Sequence, residues 1–162
     1  MSADLATKIQ LGLDEFAIVR TQMSPLIAKP ADADVGDMET AATCAMLHSF
    51  YTEIEKILKL VAREWDARMP SSDAWHKEHL NQMAAPTNTR PAVITPDLVE
   101  VLSEFLAFRH LFRGASIALM RWNKLSPLVA KVDQTYLQSR DELEYFQAFL
   151  WPQDKPTREI KD

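Results

Sequence analysis

An all-α fold, an antiparallel bundle of four long helices with one additional short helix, is what this sequence predicts. Three observations carry that expectation. Glycine occurs only three times in 162 residues and proline nine times, so the helix-compatible stretches are long and their joints are marked. Apolar residues recur at steps of three and four, the helical period. No segment alternates as a half-buried strand does, and no repeat or low-complexity run breaks the pattern.

The first segment, DLATKIQLGLDEFAIVRTQMSPLI, carries Leu5, Ile9, Leu13, Phe16 and Val19 on one face. KPADADVGD follows as a linker, with Pro30 and Gly36 as breakers. The second segment runs from METAATC to WDAR, with a stripe through Leu47, Phe50, Ile54, Ile57 and Val61, and Pro70 marks its end. Glu53, Glu55, Lys56 and Lys59 form its polar side, and Glu55 and Lys59 stand at a favourable i,i+4 spacing. SSDAWHKEHLNQMAAP predicts the short helix, with Ser72 or Asp73 as N-cap. APTNTRPAVI is a loop. Thr95-Pro96 opens the next long helix as cap and first residue. Its stripe runs Leu98, Leu102, Phe105, Phe108, Phe112, Ala115, Leu119, Trp122. Pro127 marks the joint to a last helix, Leu128 to Leu150.

Bulk properties narrow the function classes. The chain is 47% apolar and 25% charged, with a net charge of −5. Overall charge therefore argues against a non-specific grip on nucleic acid and leaves room only for a local basic patch. Cys44 is the one cysteine, so an intrachain disulfide is excluded and a reducing cytoplasm fits. MSADLATKIQ lacks the layout of a signal peptide. No uncharged apolar run approaches the roughly 18 residues of a membrane span. The expectation is one soluble cytoplasmic domain over residues 1–150, followed by a charged tail, 151–162, with no membrane contact.

Four groups of residues invite a chemical reading. His76 and His79 stand three apart, a spacing that can bring two imidazoles to one ion. Without HExxH, or the Glu-x-x-His pairs of di-iron bundles, they read better as two exposed histidines, and no metal or other cofactor is expected. Three scattered glycines cannot build a phosphate-cradling loop, which excludes nucleotide enzymes of that kind. Cys44 lies one turn before His48; a thiol–imidazole couple is weighed there against a small buried residue, and the buried residue is preferred. The fourth group is FLAFRHLFRGASIALMRW. Arg109 and Arg113 are one turn apart, and His110 is three before Arg113, so their side chains project in neighbouring directions. Cleaving RNA needs positive charge at the phosphate and a proton-transfer group near neutral pKa. Against that stands a pairing of the arginines with glutamates across the bundle, Glu53 or Glu142.

Three phrases, LHSFYTEIEKILKLVARE, WHKEHLNQMAAPTNTRPAVITPDLVEVLSEFLAFRHLFR and WNKLSPLV, resemble the HEPN domains of HepT-like ribonuclease toxins over residues 10 to 150. The resemblance implies a helical bundle that forms homodimers and pairs with a minimal nucleotidyltransferase antitoxin. It also implies a metal-independent endoribonuclease site built on arginine, four to six residues, histidine, one residue, tyrosine. Similar members read FRHxFRHxYG. Arg109 matches the motif arginine, and His110 and Arg113 match residues inside it. Gly114 stands at the motif histidine and Ser116 at the motif tyrosine, which the antitoxin can modify with AMP. Glycine can neither accept nor donate a side-chain proton, and losing a general acid or base forfeits about 10²–10⁴ in rate. An interior helical glycine also costs roughly 1 kcal/mol relative to alanine. The reading is a crippled centre that retains dimerisation, partner binding and a weak hold on RNA by Arg109 and Arg113. One rival is a live endoribonuclease in which His110 substitutes. The other is a plain interaction or regulatory subunit. A partner helix or RNA approaching closely at His110, Gly114, Ile117 and Arg121 would give the glycine a purpose.

Overall fold

The computed structural model describes residues 2–114 and 117–151 and is helical throughout, with no strand among them. Four long helices form the bundle: α1 (Ser2–Gln22), α3 (Asp37–Glu64), α5 (Pro96–Gly114) and α7 (Val132–Leu150). Three short ones, α2 (Ser24–Ile27), α4 (Trp75–Ala84) and α6 (Trp122–Val129), sit at the joints. The long helices form a closed ring of neighbours, α1 against α3, α3 against α5, α5 against α7, and α7 against α1.

Cross-helix pairs fix the directions. Lys8 bonds Glu64 while Phe16 meets Phe50, so α1 and α3 run antiparallel. Thr95 bonds Glu142 at the start of α5 and Glu104, midway along it, pairs with Lys131 at the start of α7, which makes α5 and α7 antiparallel too. A line of rings crosses the core. Tyr136 of α7, Phe16 of α1, Phe50 of α3 and Phe105 of α5 follow one another at centroid separations of 5.1, 4.9 and 5.1 Å. Each helix thus contributes one aromatic residue to a shared apolar centre, the burial that holds such a bundle together. Gly12 lets α1 come close to α3: a Cβ there would lie 2.6 Å from Ile57 Cγ1.

The expected apolar faces are the buried ones in α1, α3 and the first part of α5, but several boundaries differ. The first segment breaks at Met23, because Pro25 starts a separate turn, α2. The second ends at Glu64 rather than near Pro70, and Ala67 turns the chain with φ 49°. Ala74, not Ser72 or Asp73, occupies the N-cap of α4. Ser72 instead accepts the Ala74 N–H and donates to Glu78, shaping the turn ahead of the helix. The Thr95-Pro96 start is as expected, with Thr95 Oγ1 accepting the Leu98 N–H.

The stripe drawn through to Trp122 is not one helix. α5 stops at Gly114, a 3-10 turn covers Ile117–Leu119, and Trp122 begins α6 with its indole N–H on the Pro30 carbonyl. Leu119, expected inside, is exposed. Periodicity continued across the break because glycine carries no signal of its own beyond a propensity cost. Pro127 does not mark a joint but lies inside α6, and α7 starts at Val132 instead of Leu128. As the sixth residue of this eight-residue helix, the proline forgoes one intrahelical hydrogen bond, to the Asn123 carbonyl. Ala115, Ser116 and the tail beyond Trp151 lie outside the described residues.

Candidate functional site

Glu55 is the hub of the molecule's polar interior. It sits in the middle of α3 on the side facing α4 and α5, and only 2% of it is exposed. The sequence places it on the polar face with Lys59, but the short helix α4 closes over that face. Glu55 Oε1 accepts from Lys59 Nζ at 2.8 Å and from Arg109 Nη1 at 3.0 Å, and Oε2 meets His76 Nδ1 at 2.7 Å. Burial by itself would push this carboxyl up. The three hydrogen bonds outweigh it and hold the pKa to about 2. The carboxylate is therefore ionised throughout the neutral range.

The partner of Arg109 is thus neither Glu53 nor Glu142. Glu53 pairs with Lys56 on its own helix, and Glu142 caps the start of α5 at Thr95. Arg109 makes one side-chain hydrogen bond, to Glu55, and lies over the Tyr51 ring at 5.7 Å. Its Nε is buried without a partner. Arg113, one turn on, is exposed and has no ion pair among the described residues.

The histidines divide into different roles. His76 and His79 are buried, not exposed as the sequence reading had them. Trp75 stacks on His76 at 3.5 Å, and Lys59 lies over the same indole at 4.6 Å. A short helix laid on α3 and α5 covers both imidazoles, a tertiary event that local polarity does not announce. Burial lowers the pKa of His76, and Arg109 and His110 add to this against the pull of Glu55. Burial lowers His79 as well. His48, beside Phe112 at 6.0 Å, is lowered by burial and then by Arg109 and Arg113, and its Nδ1 is buried without a partner. In all three the surroundings favour the neutral imidazole. His110 is exposed and meets His76 edge-on at 5.4 Å. No three His, Cys, Asp or Glu side chains converge in a metal-ligating arrangement among the described residues. Cys44 is fully buried and burial raises its thiol pKa, which suits packing and not nucleophilic attack.

Arg109, His110 and Arg113 therefore stand together on the last turns of α5, beside His48 and His76 from two other helices. Gly114 follows at the end of the helix, where an added Cβ would meet nothing within 4 Å. It is the last residue of α5 and not a point of close approach among the described residues. The face drawn through His110, Gly114, Ile117 and Arg121 does not form on one helix, since Arg121 caps α6 and donates to the Ala118 and Met120 carbonyls. Ser116 lies outside the described residues. Sequence reasoning missed Glu55 and His76 as members of this cluster. The one available signal was Glu55 itself, a charged residue directly beside the apolar stripe position Ile54.

No helix among the described residues is long and apolar enough to cross a membrane. Neither the curated proteins nor the solved structures supply a match to the chain. A family model described as HepT-like protein does match, over residues 42–150. That span includes the Glu55 hub, the short helix that covers it and the arginine–histidine turns of α5. An all-helical bundle and a match over more than half its length make this chain a member of the HepT-like protein family.

Proposed function

We propose that this protein keeps the HEPN-type scaffold of a toxin–antitoxin system and acts by binding rather than cutting. It works as a homodimer, engages a minimal nucleotidyltransferase antitoxin-like partner, and holds RNA through Arg109 and Arg113. The observation that carries the reading is an incompletely bonded arginine beside a position that offers no imidazole. Arg109, 15% exposed, has guanidinium donors left over after its bond to Glu55, and Arg113 is exposed with no ion pair among the described residues. Both are suited to phosphate oxygens. Gly114, at the motif position for a proton-transfer group, provides none. Electrostatic stabilisation without proton transfer leaves a site that binds a phosphodiester and cleaves it at least about 10²-fold more slowly.

Purified protein mixed with single-stranded RNA tests this directly. The expected outcome is salt-sensitive binding with negligible cleavage, and Arg109→Ala weakens binding and lowers the salt slope by about 1. Brisk cleavage that vanishes in both Arg109→Ala and His110→Ala would replace this reading with a live endoribonuclease using His110. Co-purification with the product of the adjacent gene tests the protein partner, and light scattering tests the dimer. A monomer that binds RNA at neither low nor high salt would leave only an interaction module.

A further inference from the structure

Beside the arginine turns, a groove of about 330 Å³ runs between α4 and α5, at the small end of the roughly 300–1,000 Å³ typical of ligand clefts. Leu106, Ala107 and Ala74 give it an apolar lining, His76 and His110 contribute imidazoles, and Lys77 adds a positive charge. His76 is fixed on both sides, with Trp75 stacked against its face and Glu55 on Nδ1. Because Glu55 is an anion, the proton of the neutral imidazole belongs on Nδ1, and Nε2 is left as a hydrogen-bond acceptor. No group among the described residues donates to that nitrogen. The groove thus combines apolar contacts, aromatic rings and one preorganised acceptor. His110 belongs both to the groove and to the turn that carries Arg109.

We propose that this groove receives one unpaired nucleobase of an RNA strand whose phosphates lie on Arg109 and Arg113. The inference rests on the RNA-holding reading above and assigns the base contact that reading lacks. A nucleobase is flat, offers a π-face to the apolar and imidazole surfaces, and carries N–H donors on its edge for His76 Nε2. A free nucleotide is a poorer occupant, since no glycine-rich phosphate loop adjoins the groove and its own rim adds only the Lys77 cation, which stands beside Asp73. The sugar–phosphate chain instead continues to the arginines on either side of His110, Arg109 one residue before it and Arg113 about one turn beyond.

Fluorescence anisotropy with two labelled single-stranded tetranucleotides tests the proposal, one bearing its bases and the other abasic ribose-phosphate throughout. The wild type should prefer the base-bearing strand by about tenfold, in keeping with stacking of one base. Ala107→Trp, which fills the groove from an exposed position, should abolish that preference while still binding the abasic strand. Equal binding of the two strands by the wild type, or an undiminished preference in Ala107→Trp, overturns the groove alone. Binding of neither strand at low salt overturns the RNA-holding reading and the groove with it. If Ala107→Trp does not unfold cooperatively, the wild-type imidazole ¹⁵N resonances decide. The His76 Nε2 signal should move with the base-bearing strand and not with the abasic one; no movement with either overturns the proposal.

Discussion

Two arginines, Arg90 and Arg109, each meet a carboxylate largely shielded from water, Asp66 just beyond the end of α3 and Glu55 in its middle, and they are used in opposite ways. Arg90 lies in the loop before α5 and is 3% exposed. All five of its N–H donors are engaged. Nε and Nη2 clamp the two oxygens of Asp66 at 2.6 and 2.7 Å, and the remaining donors reach the Gln82, Ala85 and Pro91 carbonyls. Asp66 also accepts from Gln82, and burial, which would raise its pKa, is overcome by Arg90. Arg109 fills one donor on Glu55, and that carboxylate shares itself with Lys59 and His76. A saturated guanidinium is a staple. One held by a single side-chain bond, beside His110 of the groove, keeps donors for something else.

The sharpest way to break this comparison is to delete each arginine. Arg90→Ala leaves Asp66 buried with a single amide donor and frees three carbonyls, so it should cost about 3–5 kcal/mol, the usual effect of stranding one member of a buried pair. Urea unfolding measures it, and a cost near 1 kcal/mol would mean the loop is anchored otherwise.

Glu55→Gln comes next. The folded carboxyl titrates at about 2, below the ordinary 4.5 of a free glutamate, so the anion stabilises the fold above pH 4.5. That contribution drains away as the pH falls towards 2, roughly 3 kcal/mol in all. Glu55→Gln should lose a similar amount at pH 7 and flatten the acid limb of stability between pH 5 and 2. An unchanged acid limb would show that the hub is not where the carboxylate is held.

Arg109→Ala should be milder for the fold, about 1–2 kcal/mol, because Glu55 keeps Lys59 and His76. Its main effect should fall on RNA binding. A stability loss equal to that of Arg90→Ala would erase the distinction between staple and binding residue.

Smallest of all is Gly114→His, whose side chain enters open space and should change stability by less than about 0.5 kcal/mol. Combined with Ser116→Tyr it should raise RNA cleavage. No gain would mean that the site lacks more than an imidazole and a phenol.

How much was readable beforehand depends on range. The start of α5 was legible because Thr95 and Pro96 act within one turn, and the faces of α1 and α3 because burial there follows a local period. The breaks at Met23 and Gly114 were obscured because apolar spacing continued through them. The site was half legible. Arg109, His110 and Arg113 are neighbours on one helix, so spacing alone groups them. Glu55 and His76 joined them from residues 54 and 34 positions away, and no spacing rule reaches that far.

Helical class, long apolar stripes and the absence of a side chain at position 114 were decided by the order of residues, since each depends on groups within a few positions. Which polar groups became interior was decided only by tertiary packing. Glu55, His76 and His79 look solvated along the chain, and they are buried because α4 lies down across α3 and α5. Once water is excluded there, a carboxylate must find donors, and that requirement ties Arg109, Lys59 and His76 together around it.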